Sequence, residues 1–220
     1  ASRGLGDVYK RQFPSPSFVR QIENQNLHAL NIPELTIITP AALQTEAERV
    51  AQLHREEGLT VAVIEQEKIF NEFSSGAPDA SAYRRLMKMF YDRAEGNENV
   101  RPRYLLLFGD GSYNNRKSME KLHSPECNML LTYQSKTSID ERESFVIEDY
   151  FGFLEDNSGE EIKVDKVCLG IGRFPISSIK NARLVVDKLY RYVHDKDFSS
   201  WKNNICIACL LYTSDAADDK

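Results

Sequence analysis

The chain has 220 residues, with 28 Lys and Arg against 33 Asp and Glu, for a net charge of −5 near neutral pH. A mildly acidic chain has no electrostatic basis for binding nucleic acid or an anionic membrane surface, and no apolar run approaches the roughly 20 residues that span a bilayer. Among the cysteines, Cys127, Cys168 and Cys206 are unevenly spaced, which makes neither a disulfide framework nor a zinc site.

The first and last twelve residues read as translated adapter. Asp7-Val8-Tyr9-Lys10-Arg11-Gln12 can be encoded by GAT GTG TAT AAG AGA CAG. The reverse complement of that string, moved by one base, encodes Cys209-Leu210-Leu211-Tyr212-Thr213-Ser214. The string resembles the mosaic end of a transposase sequencing adapter, and the residues beyond it on either side resemble its two arms. Residues 1–12 and 209–220 are therefore set apart, as an expression scar would be; residues 1–12 and 213–220 are expected to be irregular and exposed, while the apolar Cys209 to Tyr212 could extend the last strand. Removing them takes away Arg3, Lys10, Arg11 and Lys220 with Asp7, Asp215, Asp218 and Asp219, so the charge stays at −5.

Residues 13–33 read as a linker or the tail of a preceding domain, and residues 34–208 as the body of the protein. Leu35 to Thr39 is a β-branched run closed by Pro40, and the stretch after it sets Leu43, Ala47, Val50 and His54 on one helical stripe that Gly58 ends. Thr60 to Ile64 is a second strand. Ser74 to Pro78 is a loop, after which Asp79 caps a helix with Ala80, Tyr83, Met87, Phe90 and Ala94 on one face. Tyr104 to Phe108 is continuously apolar, as a strand buried on both faces would be.

Residues between Gly109 and Asp165 lose the pattern, apart from short apolar pieces such as Met129-Leu130-Leu131 and Tyr150 to Phe153. A stretch that long inside an α/β domain is usually functional or peripheral. Order returns with a strand over Val167 to Gly172, a helix capped by Ser178 that carries Ala182, Val185, Val186, Leu189 and Val193, and a last strand over Ile205 to Ala208. Alternation of strand and helix predicts an α/β fold with a mostly parallel sheet and right-handed crossovers.

Several residues have the chemistry and the placement for a site. Asp110, held between Gly109 and Gly111 at the end of a buried strand, stands where open α/β sheets bind ligands; a turn cap through its own backbone is the plainer role. Arg173 also follows a buried strand, and its guanidinium can take a carboxylate on a substrate or a structural partner inside the protein. Glu148, Asp149, Glu155, Asp156, Glu160 and Glu161 crowd together. They lack the spacing and the fixed glycine of a calcium loop, and a solvated acidic surface accounts for them. His123 and Cys127 have the residue types of a nucleophile pair, but the Ser124-Pro125 between them makes an irregular loop with no defined facing. His28, His54 and His194 read as linker or helix-surface residues.

Six segments together carry a resemblance: Tyr104 to Asn115 (YLLLFGDGSYNN), Leu131 to Ser135, Glu148 to Gly152 (EDYFG), Gly170 to Pro175 (GIGRFP), Val185 to Tyr192 and Trp201 to Ala208. In this order they resemble the gingipain-type cysteine peptidases, most of all the branch that serves type IX secretion as its sortase. The resemblance implies a caspase-like catalytic domain with three layers, α/β/α, of which residues 34–208 are the N-terminal part. It also implies a cysteine thiolate that attacks a peptide carbonyl with histidine as base, and places both of those residues beyond Ala208. Asp110, Asp149 and Arg173 then flank the catalytic pair. No cofactor is required, and a structural calcium ion is left open. The implied partners are protein or peptide substrates and secretion-system components at the outer membrane, with the protein at the cell surface. A non-enzymatic α/β module that binds a ligand at the Gly109 to Tyr113 turn is the alternative.

Overall fold

The computed structural model describes residues 18, 21–120, 122, 127–135, 137, 139–140, 142–160, 164–197 and 199–206. In chain order its elements are β1 (Leu35–Thr39), α1 (Gln44–Glu56), β2 (Val61–Glu65), α2 (Gln66–Phe73), α3 (Ser81–Arg93), β3 (Tyr104–Phe108), α4 (Asn115–Met119), β4 (Tyr133–Gln134), β5 (Val146–Ile147), β6 (Gly170–Phe174) and α5 (Ile179–His194). The expected adapter flanks, residues 1–12 and 209–220, lie outside the described residues.

β1, β2, β3 and β6 form one parallel sheet in the order β2-β1-β3-β6. The α/β expectation holds, and β3 is an interior strand. α1 and α5 pack on one face around Leu35, Ile37, Val50, Phe108 and Val186. α2, α3 and much of the segment after β3 pack on the other, around Ile38, Phe70, Tyr83, Leu107 and Phe151. Each large apolar side chain fully buried there contributes about 1.5–3 kcal/mol.

Local signals place the helix ends. Gly58 adopts φ +95°, which lets the Gly58 and Leu59 amides return to the carbonyls of Arg55 and His54 and close α1. Asp79 accepts from the Ser81 amide at 2.9 Å, and Ser178 from the Asn181 amide at 3.2 Å, so both predicted caps form at the heads of α3 and α5.

The structure departs from the expectations in four places. α2 was not foreseen, because β2 runs into it at Gln66 without a turn residue; its warrant is the burial of Ile69 and Phe70. The strand expected over Val167 to Gly172 starts only at Gly170, whose pairing with Tyr104 sets the register. Ile205 and Cys206 are exposed and in no strand, while Ile207 and Ala208 lie outside the described residues. β3 is not sealed on both faces: Tyr104 is 42% exposed. Gly170 and Gly172 of β6 bring no side chain to the α1/α5 face, and an open apolar groove of about 570 Å³ runs there past Leu106, Phe174 and Leu189.

The segment before β1 is tied to α2 by the Glu72 carboxylate and by Gln25 Nε2, which donates to Lys68 O at 2.7 Å. Glu72 accepts from the Leu27 amide at 2.8 Å, from Gln25 Nε2 at 2.8 Å and from His28 Nδ1 at 2.7 Å, while the His28 ring stacks on Phe73 at 4.8 Å. Burial opposes ionisation of Glu72, and these hydrogen bonds outweigh it, so its pKa is lowered. A pKa lower in the folded than in the unfolded state contributes stability that is present above the unfolded pKa and is lost as pH falls through the folded one. The stability gap between the wild type and Glu72→Gln, read by urea unfolding over a pH series, should therefore be present at neutral pH and close below the ordinary glutamate range. A gap constant down to the acid limit would show that the carboxylate charge contributes nothing.

Candidate functional site

The carboxyl ends of β1, β3 and β6 meet at a turn that the sequence makes tight. An added Cβ at Gly109 would stand 3.1 Å from Pro40 Cδ, just past β1, and 3.0 Å from Leu130 Cγ. One at Gly111 would stand 2.7 Å from Thr132 Cγ2 and 3.3 Å from Arg173 Cζ. Both glycines answer to close approach, since the Pro40, Leu130 and Thr132 side chains, the Asn128 carbonyl and the Arg173 guanidinium occupy the space a side chain would need.

From this turn the chain is joined to residues far along it. The Gly109 amide donates to Phe174 O at 3.1 Å, the Asp110 amide to Asn128 O at 3.1 Å, and the Leu130 amide to Asp110 O at 2.7 Å. Thr132 donates its hydroxyl to Ser112 O at 2.8 Å, and Asn115 brackets the same residue, donating Nδ2 to Thr132 O at 2.6 Å and accepting from the Thr132 amide at 3.0 Å. Sequence reasoning gave neither Asn115 nor Thr132 a role. Both stand in segments of the family resemblance, but side chains 17 residues apart in an irregular stretch leave no periodic signal of their pairing.

Arg173 is the centre of the assembly. Its Nε donates to Glu148 Oε1 at 2.8 Å and its Nη2 to Oε2 at 3.1 Å, a two-pronged pair. Nη1 reaches Gly109 O and Asp110 O, each at 3.2 Å, and Nη2 also reaches Leu131 O at 2.9 Å. Of the two roles open to Arg173 in the sequence, the structural partner is the one observed, and it is Glu148.

Asp110 caps its own turn, with Oδ1 accepting from the Gly111 amide at 2.8 Å. Asp149 opens a short 3-10 turn over Asp149–Gly152 and is exposed. The three candidate residues thus sit at one end of the sheet, with Arg173 beneath the surface, Asp110 partly covered and Asp149 facing solvent. The rest of the acidic run disperses. Asp156 pairs with Lys88 at 2.8 Å, Glu155 is exposed, and Glu161 lies outside the described residues. Among the described residues no three His, Cys, Asp or Glu side chains converge as a metal site would require.

Behind the turn a buried network supports Met129 and Leu131. Gln66 donates to Met129 O at 2.8 Å and accepts from the Tyr83 hydroxyl at 2.8 Å. Burial raises the pKa of Tyr83 far above its ordinary value, and the Leu131 amide points at its oxygen from 3.4 Å. Cys127 is 3% exposed, and burial raises its thiol pKa despite hydrogen bonds involving Met129 and Gln66. A thiol held protonated is a poor nucleophile. His123, the partner considered for it, lies outside the described residues.

The sequence matches peptidase family C25 over residues 28–217. The crystal structure of dimeric latent PorU from Porphyromonas gingivalis is similar at a TM-score of 0.74 and 38% identity, over 94% of this chain and 20% of that one. The chain thus spans about one fifth of the length of that relative. No curated protein matches the sequence.

Proposed function

The chain belongs to peptidase family C25, and we propose that it is the N-terminal part of the catalytic domain of a gingipain-like cysteine endopeptidase. The observation that carries this reading is the match to the family over residues 28–217, supported by 38% identity to PorU on the same fold. In the whole protein a cysteine thiolate attacks a peptide carbonyl with histidine as base, and both residues lie C-terminal to Ala208. No cofactor enters the reaction. The residues described here supply the sheet and the turns at its carboxyl edge.

The likeness to PorU supports a narrower role for the whole protein as a type IX secretion sortase. It would act at the cell surface on the C-terminal signals of secreted cargo and pass the cargo to an anionic lipopolysaccharide acceptor. No helix among the described residues is long and apolar enough to cross a membrane.

A peptidyl chloromethyl ketone tests the placement of the nucleophile. Incubated with the whole protein and mapped by mass spectrometry, it should modify one cysteine C-terminal to the position of Ala208, together with loss of hydrolysis. Stoichiometric modification at Cys127, Cys168 or Cys206 instead would overturn the assignment.

A further inference from the structure

We propose that Arg173 is a positioning residue for the peptidase reaction, holding three separate segments in the one arrangement that presents their outer groups to a peptide at the carboxyl edge of the sheet. The proposal rests on the peptidase reading above. Its ground is the number and origin of the acceptors on one guanidinium. Glu148 lies 25 residues away in sequence, Leu131 42, Asp110 63 and Gly109 64, and the five contacts run from 2.8 to 3.2 Å. A stabilising ion pair alone would use the two prongs on Glu148. Here Nη1 also joins the successive carbonyls of the turn after β3, and Nη2 joins Leu131, so the planar fork sets the mutual orientation of all three segments.

The position fits that role. The Arg173 side chain is 12% exposed and lies beneath the turn. Next in the chain to its partners are exposed residues: Asp149 follows Glu148, and Tyr113 and Asn114 follow the Gly109-Asp110 turn. Ligands of open α/β sheets bind outside the carboxyl ends of the strands. Arg173 thus acts through the segments it holds. Lysine would keep the charge but lose the fork, since a single ammonium cannot meet Glu148 twice and three carbonyls besides.

Arg173→Lys in the whole protein separates positioning from stability, with Val50→Ala as a control that opens a cavity beneath α1, away from the turn. Both variants should melt lower than the wild type. Assayed where each is folded and with active sites titrated, Arg173→Lys should lose on the order of a hundredfold in turnover, the scale of a misplacement of about 1 Å, with most of the loss in kcat. Val50→Ala should keep the wild-type kcat. Equal kcat values for Arg173→Lys and the wild type, or matching losses in the two variants, would overturn the positioning role.

Hydrogen exchange supplies an arm that does not depend on activity. In Arg173→Lys the amides of Gly109, Asp110 and Leu130 should exchange at least tenfold faster, while those of Leu105 and Leu107 within β3 stay protected. No change at the turn would refute the clamp. If the wild-type whole protein hydrolyses no peptide, the peptidase reading fails, and the exchange pattern still decides whether Arg173 sets the turn.

Discussion

Peptide hydrolysis by these 220 residues alone is expected to run about a million-fold below that of the whole protein, the scale seen when a protease loses its nucleophile. The cysteines described offer no substitute. Cys127 is buried with a raised thiol pKa, Cys168 is half-buried beside Lys166 O, and Cys206 is exposed. A thiol needs a base or a cation to become a thiolate, and each described histidine is engaged elsewhere. His28 meets Glu72 at 2.7 Å, His54 meets Glu57 at 2.9 Å, and His194 meets the Tyr190 carbonyl at 2.8 Å. A fluorogenic peptide assay of the chain beside the whole protein reads the difference directly. Appreciable hydrolysis by the chain, abolished by Cys127→Ala, would place the chemistry at Cys127 and sink the proposal that it lies beyond Ala208.

Tyr83→Ala should cost about 3–5 kcal/mol, the range for deleting a large buried aromatic side chain. The ring is fully buried and contacts Phe70 and Phe151, with both pairs of centroids 5.6 Å apart. Its loss opens a cavity where α3 meets the segment that follows β3. A domain holds only about 5–15 kcal/mol in all, so a large share of the folded population is at stake. Tyr83→Phe keeps the ring and should cost about 1–3 kcal/mol, because Gln66 Oε1 loses its donor inside the core. Urea unfolding of both variants gives the two numbers. A loss below about 1 kcal/mol for Tyr83→Ala would mean that the site collapses and that Tyr83 is not a keystone of this face.

Much of the fold was legible because parallel α/β structure is written locally. The apolar runs Leu35 to Thr39 and Tyr104 to Phe108, the glycine stop at Gly58 and the caps Asp79 and Ser178 all act within a few residues of chain. Where such punctuation was missing, the sequence misled. β2 passes into α2 with no breaker at Gln66. The apolar stretch before Gly170 invited an early strand start that pairing with Tyr104 corrected.

By itself, then, the sequence determined the sheet-and-helix alternation, the order of the main strands along the chain and a family likeness spread over six segments. It also brought Asp110 and Arg173 forward as site candidates, because strand ends are local features, and Asp149 through the family likeness. Which partner Arg173 takes, the retreat of Cys127 into the core and the opening of the groove beside Leu106 were decided by tertiary structure alone. Each depends on residues 25 to 64 positions apart, or on different strands, meeting across an irregular stretch. Contacts at that range follow from how chain segments stack on the sheet and which side chains fill the space between, and no periodicity in the sequence encodes them.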